Sequence, residues 1–218
     1  MSTNAPQKIS LRPTQTGIKV ALLGVLSYLA YLVKDSVYVG IVNTVDSSPT
    51  LTVLALFFSE TALLLLVIAT LAIALWAWCR DREIFWTLFS GGIGVICAFV
   101  LSKVIKIIFT EERPCQEMAV HTVSVCPPMG DWSWPSNHSV IAAAFATAVA
   151  LAIRRLRWYV AGLALFIALA RVAVGAHYLH DVLAGLALGL LVVTIAVAVL
   201  APRIENLVAK RRTGREIV

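Results

Sequence analysis

From Leu51 to Trp78 the chain carries a single charged residue, Glu60, and only Ser and Thr otherwise interrupt its aliphatic and aromatic side chains. A segment that is apolar all round has no face to offer water, so it crosses a membrane or lies in the core of a much larger body. Length closes the second option. A chain of 218 residues that is 60% hydrophobic and 14% charged cannot supply the polar surface to cover several such segments. Similar runs recur along the sequence, and the expected fold is an all-α polytopic membrane bundle of about six transmembrane helices.

The expected spans are Ile18 to Leu32, Leu51 to Trp78, Ile84 to Phe109, Ser136 to Ile153, Trp158 to Val174 and His177 to Leu200. Residues 1–18, polar and holding Pro6 and Pro13, read as a disordered cytoplasmic arm and not as a cleavable signal peptide. Residues 19–201 form one transmembrane domain, and 202–218 a basic cytoplasmic tail whose Lys210-Arg211-Arg212 suits anionic lipids. A short polar loop is expected up to Thr50 and a long one from Thr110 to Trp134. No internal repeat is evident.

All but five of the 18 Lys and Arg residues fall on one side of this topology, in the two ends of the chain, in Arg80 and Arg82, and in Arg154, Arg155 and Arg157. By the positive-inside rule both termini are cytoplasmic and the long loop faces out. Scattered between apolar runs, the net charge of +6 forms no patch that would suit nucleic acid.

The five remaining cations are Lys34, Lys103, Lys106, Arg113 and Arg171, and all four histidines share their side of the membrane. Lys103 is read as snorkelling to headgroups and His121 as solvated. Lys106, Arg113 and Arg171, without matching acids, would suit a dianionic phosphate. Pro135-Ser136 opens a span, so the amides of Asn137 and His138 and the Ser136 hydroxyl offer an anion site at a helix N-terminus. His177 and Asp181, four residues apart, share a helix face, and an Asp on one ring nitrogen fixes the tautomer and makes the other a better nucleophile. His138 is then free to protonate a leaving oxygen.

These three segments resemble the type 2 phosphatidic acid phosphatase (PAP2) family of integral-membrane lipid phosphatases, which share a site with vanadium haloperoxidases. Lys106 is followed after six residues by Arg113-Pro114, then come Pro135-Ser136-Asn137-His138 and Arg171 with His177 and Asp181 at the family's spacing. The likeness spans about 84–200. Asn137 stands where the family has Gly, and Ala170 where it has Ser. The resemblance implies a phosphatase that needs no metal or other cofactor. His177 would become a phosphohistidine supported by Asp181, and His138 would act as acid and then base. Lys106, Arg113, Ser136, Asn137 and Arg171 would hold the phosphate.

Other features have plainer readings. His180 is a polar neighbour at a helix start, Trp132 and Trp134 form an interfacial belt, and Cys79 and Cys97 fill apolar space. Glu60, an acid inside a span, is expected to pair or to line a polar cavity. Cys115 and Cys126 share the outer loop and are expected to bridge in an oxidising compartment. The expected substrate is a lipid phosphate, with polyprenyl pyrophosphate at the outer face of a bacterial inner membrane first, and phosphatidic acid or phosphatidylglycerol phosphate as the alternatives. A lipid transporter or flippase would be expected to show repeated halves and broken helices, and neither is visible.

Overall fold

The computed structural model describes residues 13–213. Nine α-helices, with no strand among the described residues, follow one another as α1 (Pro13–Leu32), α2 (Lys34–Asp46), α3 (Pro49–Leu56), α4 (Ala62–Arg80), α5 (Arg82–Phe109), α6 (Pro114–Glu117), α7 (Asn137–Ala152), α8 (Arg157–Ala173) and α9 (Leu179–Thr213). A π-helical turn at Phe57–Thr61 joins α3 to α4, and the two form one long rod. Five segments are long and apolar enough to cross a membrane, and α7 is a sixth, shorter apolar helix. The bundle predicted from hydropathy is therefore present.

Three boundaries differ from expectation. The first helix begins at Pro13, before Ile18, while residues 1–12 lie outside the described residues. The polar loop expected between Leu32 and Thr50 is instead helix α2, amphipathic enough to bury Tyr38, Val42 and Val45 against the rest of the protein. The expected tail continues α9 as helix through Thr213, and the side chains of Lys210, Arg211 and Arg212 lie outside the described residues.

Local chemistry explains the corners. Asp81 caps α5 by accepting from the Glu83 and Ile84 amides at 3.1 Å each, which ends α4 and reverses the chain. The guanidinium of Arg82 stacks 3.9 Å from the Trp78 ring centroid there, at the end of the bundle away from the long loop. Thr110 closes α5 in the left-handed region at φ 41°, an uncommon place for a β-branched residue. That turn directs the chain into the loop carrying Glu111 and Arg113.

Packing centres on α7 and α9. α9 lies against α1, α5 and α7, while α7 also touches α5 and α8. Helices in a membrane gain little from hiding apolar surface from one another, so small residues that admit close approach carry the contacts. Ala142, Ala143, Ala144, Ala146 and Ala148 are buried on α7. On α9, a Cβ at Gly185 would lie 2.7 Å from the Ser136 carbonyl oxygen, and one at Gly189 would lie 2.4 Å from the Val140 carbonyl oxygen.

α7 has 16 residues, or about 24 Å of helix against about 30 Å of hydrocarbon. Its first turn therefore starts below the level that the longer helices reach. The loop entering it brings polar backbone down with it, and such backbone needs partners inside the protein.

Candidate active site

Lys106, near the end of α5, meets that need. Its ammonium is buried and donates to the carbonyls of Trp132 and Ser133, the latter at 2.9 Å. Two of its three N–H groups thus hold the loop, leaving one for a ligand. The loop is also closed by the Cys115–Cys126 disulfide, with Cα atoms 5.9 Å apart, and by Gln116, whose side-chain amide donates to the Pro127 carbonyl at 2.9 Å. Arg113, just before α6, is buried against this frame.

His177 stands between α8 and α9 and is buried, as is Asp181 on the first turn of α9. Nδ1 of His177 lies 3.2 Å from Asp181 Oδ2 and 3.2 Å from the Ser133 hydroxyl, which itself donates to the same carboxylate oxygen. The Tyr178 amide donates to Oδ2 at 2.9 Å. Nε2 of His177 faces Arg113 NH1 at 3.1 Å. An arginine can only donate, so Nε2 must accept, and the proton of the neutral ring sits on Nδ1 toward Asp181. Burial, then the charges of Arg113, Lys106 and Arg171, hold the imidazole well below its ordinary pKa. The ring is neutral, with its Nε2 lone pair turned toward cations.

Ser136 precedes α7 in an extended conformation, and its amide donates to the Asp181 carbonyl at 3.1 Å, tying the start of α7 to that of α9. The Ser136 hydroxyl is fully buried and has no hydrogen-bond partner among the described residues, and Arg171 Nε is in the same position. Two buried donors left unsatisfied each cost on the order of 1–3 kcal/mol, unless a ligand accepts from them. The side chain of Asn137 turns away, accepting from Ser102 Oγ at 2.7 Å, so only its backbone amide is available at the helix start. His138 is half-buried on the next residue and its ring has no hydrogen bond among the described residues.

Arg171 closes α8, and its NH1 donates to Ser59 Oγ at 2.6 Å. Ser59 belongs to the π-helical turn, a kind of irregularity that often marks functional sites. Glu60 sits in the same turn, exposed on the bundle surface, with its charge acting on Arg171. It is Ser59 and not Glu60 that touches the site.

One expectation needs correction. The three cations do have a matching acid: Asp131 Oδ2 lies 3.0 Å from Arg113 NH2, and the Asp131 carbonyl accepts from Arg113 Nε at 2.7 Å. In the sequence Asp131 looked like any loop acid. Ser133, Ser59 and Glu111 are likewise ordinary residues at their own positions in the sequence, with no local signal of a role. His180 is more than a polar neighbour: it is buried, with Nε2 3.0 Å from Glu111 Oε1 and 3.1 Å from Asp181 Oδ1. His121, mostly exposed, pairs with Asp46 at 2.9 Å. Cys79 and Cys97 are free and face outward from the bundle.

Glu111, His180 and Asp181 each bring one ligand atom within 4.8 Å of the others, close enough to consider a metal. A metal on His180 Nε2 would move the ring proton to Nδ1, which is buried with no acceptor among the described residues. A proton on Nε2, between two carboxylates, leaves no such orphan donor. The trio suits an N–H donated to Glu111 better than an ion.

The bundle gathers a His–Asp pair, a second histidine and three cations around unsatisfied donors, an arrangement suited to a phosphate group, and the class it fits is a membrane phosphatase. The PAP2 superfamily model matches residues 84–205, and the chain belongs to that superfamily. It is 31% identical over 151 residues to the undecaprenyl-diphosphatase BcrC of Bacillus subtilis, covering 69% of this chain and 73% of that protein. A local match to the lipid A 1-phosphatase of Rhizobium etli is 47% identical over 57 residues, 26% of this chain and 25% of that one. Among solved structures, Aquifex aeolicus LpxE superposes with a TM-score of 0.62 at 19% identity, covering 76% of this chain and 95% of that one. A transmembrane PAP2-type phosphatidylglycerolphosphate phosphatase from Bacillus subtilis gives 0.58 at 19% identity, covering 85% and 94%. Those two share the fold.

Proposed function

We propose that this lipid phosphatase removes the terminal phosphate of a polyprenyl pyrophosphate at the extracytoplasmic face of a bacterial inner membrane, without a metal. One observation carries the mechanism: Arg113 on Nε2 and Asp181 on Nδ1 hold His177 neutral, with its lone pair toward the cation cluster. The Arg113 NH1 hydrogen bond to Nε2 gives way, freeing that N–H for a phosphoryl oxygen; Nε2 attacks phosphorus, and the bond from phosphorus to the bridging oxygen breaks. That oxygen takes a proton from His138 and leaves as a polyprenyl monophosphate. The phosphorylated ring is cationic, and the Asp181 carboxylate offsets its charge. Water then attacks phosphorus, His138 takes its proton, the P–N bond breaks and inorganic phosphate departs.

Lys106, Arg113, Arg171, the Ser136 hydroxyl and the first amides of α7 stabilise the charge on the transferring group, which is most of what phosphoryl transfer asks of a protein. The polyprenyl preference is supported by the likeness to a protein named as an undecaprenyl-diphosphatase over most of both chains. A cavity of about 790 Å³ between α1, α5 and α9 supports a lipid substrate. Tyr28, Phe109, Trp134 and Leu188 give it apolar walls, and Pro135 and His180 put one end beside the site. The outward orientation rests on the distribution of Lys and Arg.

The test is phosphate release by the purified protein in detergent from polyprenyl pyrophosphate, phosphatidic acid and phosphatidylglycerol phosphate, with and without EDTA. The reading expects the first to be turned over fastest, EDTA to change nothing, vanadate to inhibit and His177→Ala to be inert. Activity lost to chelation and restored by a divalent ion would remove the metal-free mechanism. Preference for a glycerol lipid would move the substrate assignment and leave the chemistry.

A further inference from the structure

In the function proposed above Arg113 grips phosphate. Before substrate arrives, protein acceptors already occupy most of its guanidinium. Nε donates to the Asp131 carbonyl at 2.7 Å, NH1 to the Ala176 carbonyl at 2.9 Å and toward His177 Nε2 at 3.1 Å, and NH2 to the Asp131 carboxylate at 3.0 Å. Of five N–H groups, one on NH2 remains. The carboxylate contact is a charge-assisted N–H···O bond of the kind a phosphate oxygen would make.

The two partners differ in surroundings. Arg113 is buried, whereas the Asp131 side chain is 41% exposed at the mouth of the site. The carboxylate can therefore leave Arg113 while staying hydrated. Its backbone carbonyl keeps Nε in place when it does, so the guanidinium does not lose its position. The negative charge of Asp131 also reaches Lys106, His138 and Arg171, so it opposes any anion bound among them. A pocket of three cations would otherwise hold product phosphate as firmly as substrate, and such uniform binding slows turnover.

Given that phosphatase reading, on which the role depends, we infer that Asp131 is a built-in competitor for Arg113. It yields the NH2 edge to the incoming phosphoryl group and returns to expel inorganic phosphate. It is a residue that sets affinity and release, and makes no bond to phosphorus.

The experiment measures equilibrium binding of inorganic phosphate to the purified full-length protein by calorimetry, together with phosphate inhibition of turnover. Asp131→Asn keeps the shape and one acceptor but removes the charge. It should bind phosphate about tenfold more tightly, the size of one ion-pair competitor discounted for its exposure. KM should fall and kcat should not rise. Asp131→Glu, which retains the charge, should stay within about threefold of wild type on the same argument. Should Asp131→Asn fold poorly, Asp131→Ser removes the same charge, spares the backbone carbonyl and carries the same expectation.

If Asp131 merely braces Arg113, the sign reverses, because a loosened guanidinium would weaken phosphate binding. Wild-type protein that binds phosphate, beside a charge-removed variant that binds it equally or more weakly, overturns the inference and leaves the proposed function standing. Wild-type protein that binds no phosphate overturns both.

Discussion

Gly185→Ala tests whether the packing of α9 on α7 sets the geometry of catalysis. The added Cβ would lie 2.7 Å from the Ser136 carbonyl oxygen, 2.9 Å from Ser139 Cβ and 3.2 Å from the Val140 amide nitrogen. Ordinary contacts start near 3.4 Å, so α9 and the start of α7 must separate by about 0.7 Å along the worst contact. All three neighbours are backbone or Cβ atoms, which cannot rotate aside. Ser136 carries one of the unsatisfied hydroxyls, and its amide is tied to Asp181 across the same interface. The shift therefore pulls the phosphate cradle away from the nucleophile's support. Overpacking of this kind costs about 1–3 kcal/mol of stability. A displacement approaching 1 Å can cost about 100-fold in rate. The expected result is a folded protein, modestly less heat-stable in detergent, with kcat/KM lowered between about 10- and 100-fold. Gly162→Ala on α8 is the control, since a Cβ there meets nothing within 4 Å. It should keep full activity and gain up to about 1 kcal/mol in helix propensity. Wild-type turnover by Gly185→Ala would refute the coupling of this interface to the site.

Asp181→Asn is isosteric, yet its amide can turn a donor toward Nδ1 and force the ring proton onto Nε2. A loss of about 10⁴-fold is expected, by analogy with the tautomer penalty in Ser-His-Asp triads, and steady-state phosphate release checks it. His138→Ala should keep relatively more of its phosphorylation rate on a pyrophosphate lipid, whose leaving group needs less help, than on a monophosphate lipid, and should accumulate phosphohistidine. Rapid-quench measurement decides this, and equal slowing on both without an intermediate would deny His138 the acid role. Because His177 stays neutral when folded and takes a proton when unfolded, its own contribution to stability should decline as pH falls below about 6.5, by up to about 1.4 kcal/mol per unit. Melting temperatures at pH 7.5 and 5.5 would show it, with the slope reduced in His177→Gln. In intact cells Cys115 and Cys126 should resist an impermeant maleimide until a reductant is added and then both label. Labelling only after the inner face is opened would invert the proposed orientation.

The contacts that were readable from sequence are those whose chemistry demands a residue type at a fixed local spacing. His177 and Asp181 share a helix face because four residues make one turn, and that relation survives any tertiary arrangement. Pro135-Ser136 announces a helix start in the same local way. The long apolar runs identified spans because hydrocarbon demands them, whatever the helices then pack against. Helix α2 escaped the same argument, since Lys34, Asp35 and Asp46 break its hydropathy and its buried face, Tyr38, Val42 and Val45, is narrow.

What stayed hidden depends on contacts between distant segments made by residues that are ordinary at their own positions. Ser59 reaches Arg171 across 112 residues, and Glu111 reaches His180 across 69. A serine in an apolar span is common, and nothing local marks the π-helical turn that aims this one. Ser133 and Asp131 sit in a loop where serine and aspartate are the expected solvated residues. Lys106 shows the reverse limit. Its charge within a span flagged it as functional, but nothing near it in sequence hints that two of its three protons hold loop carbonyls. Replacing it would therefore loosen Ser133, and with Ser133 the Asp181–His177 pair, as well as remove a charge from the phosphate. A kinetic loss in a Lys106 variant cannot be assigned to phosphate binding alone, whereas Ser133→Ala removes only the hydroxyl that steadies the pair.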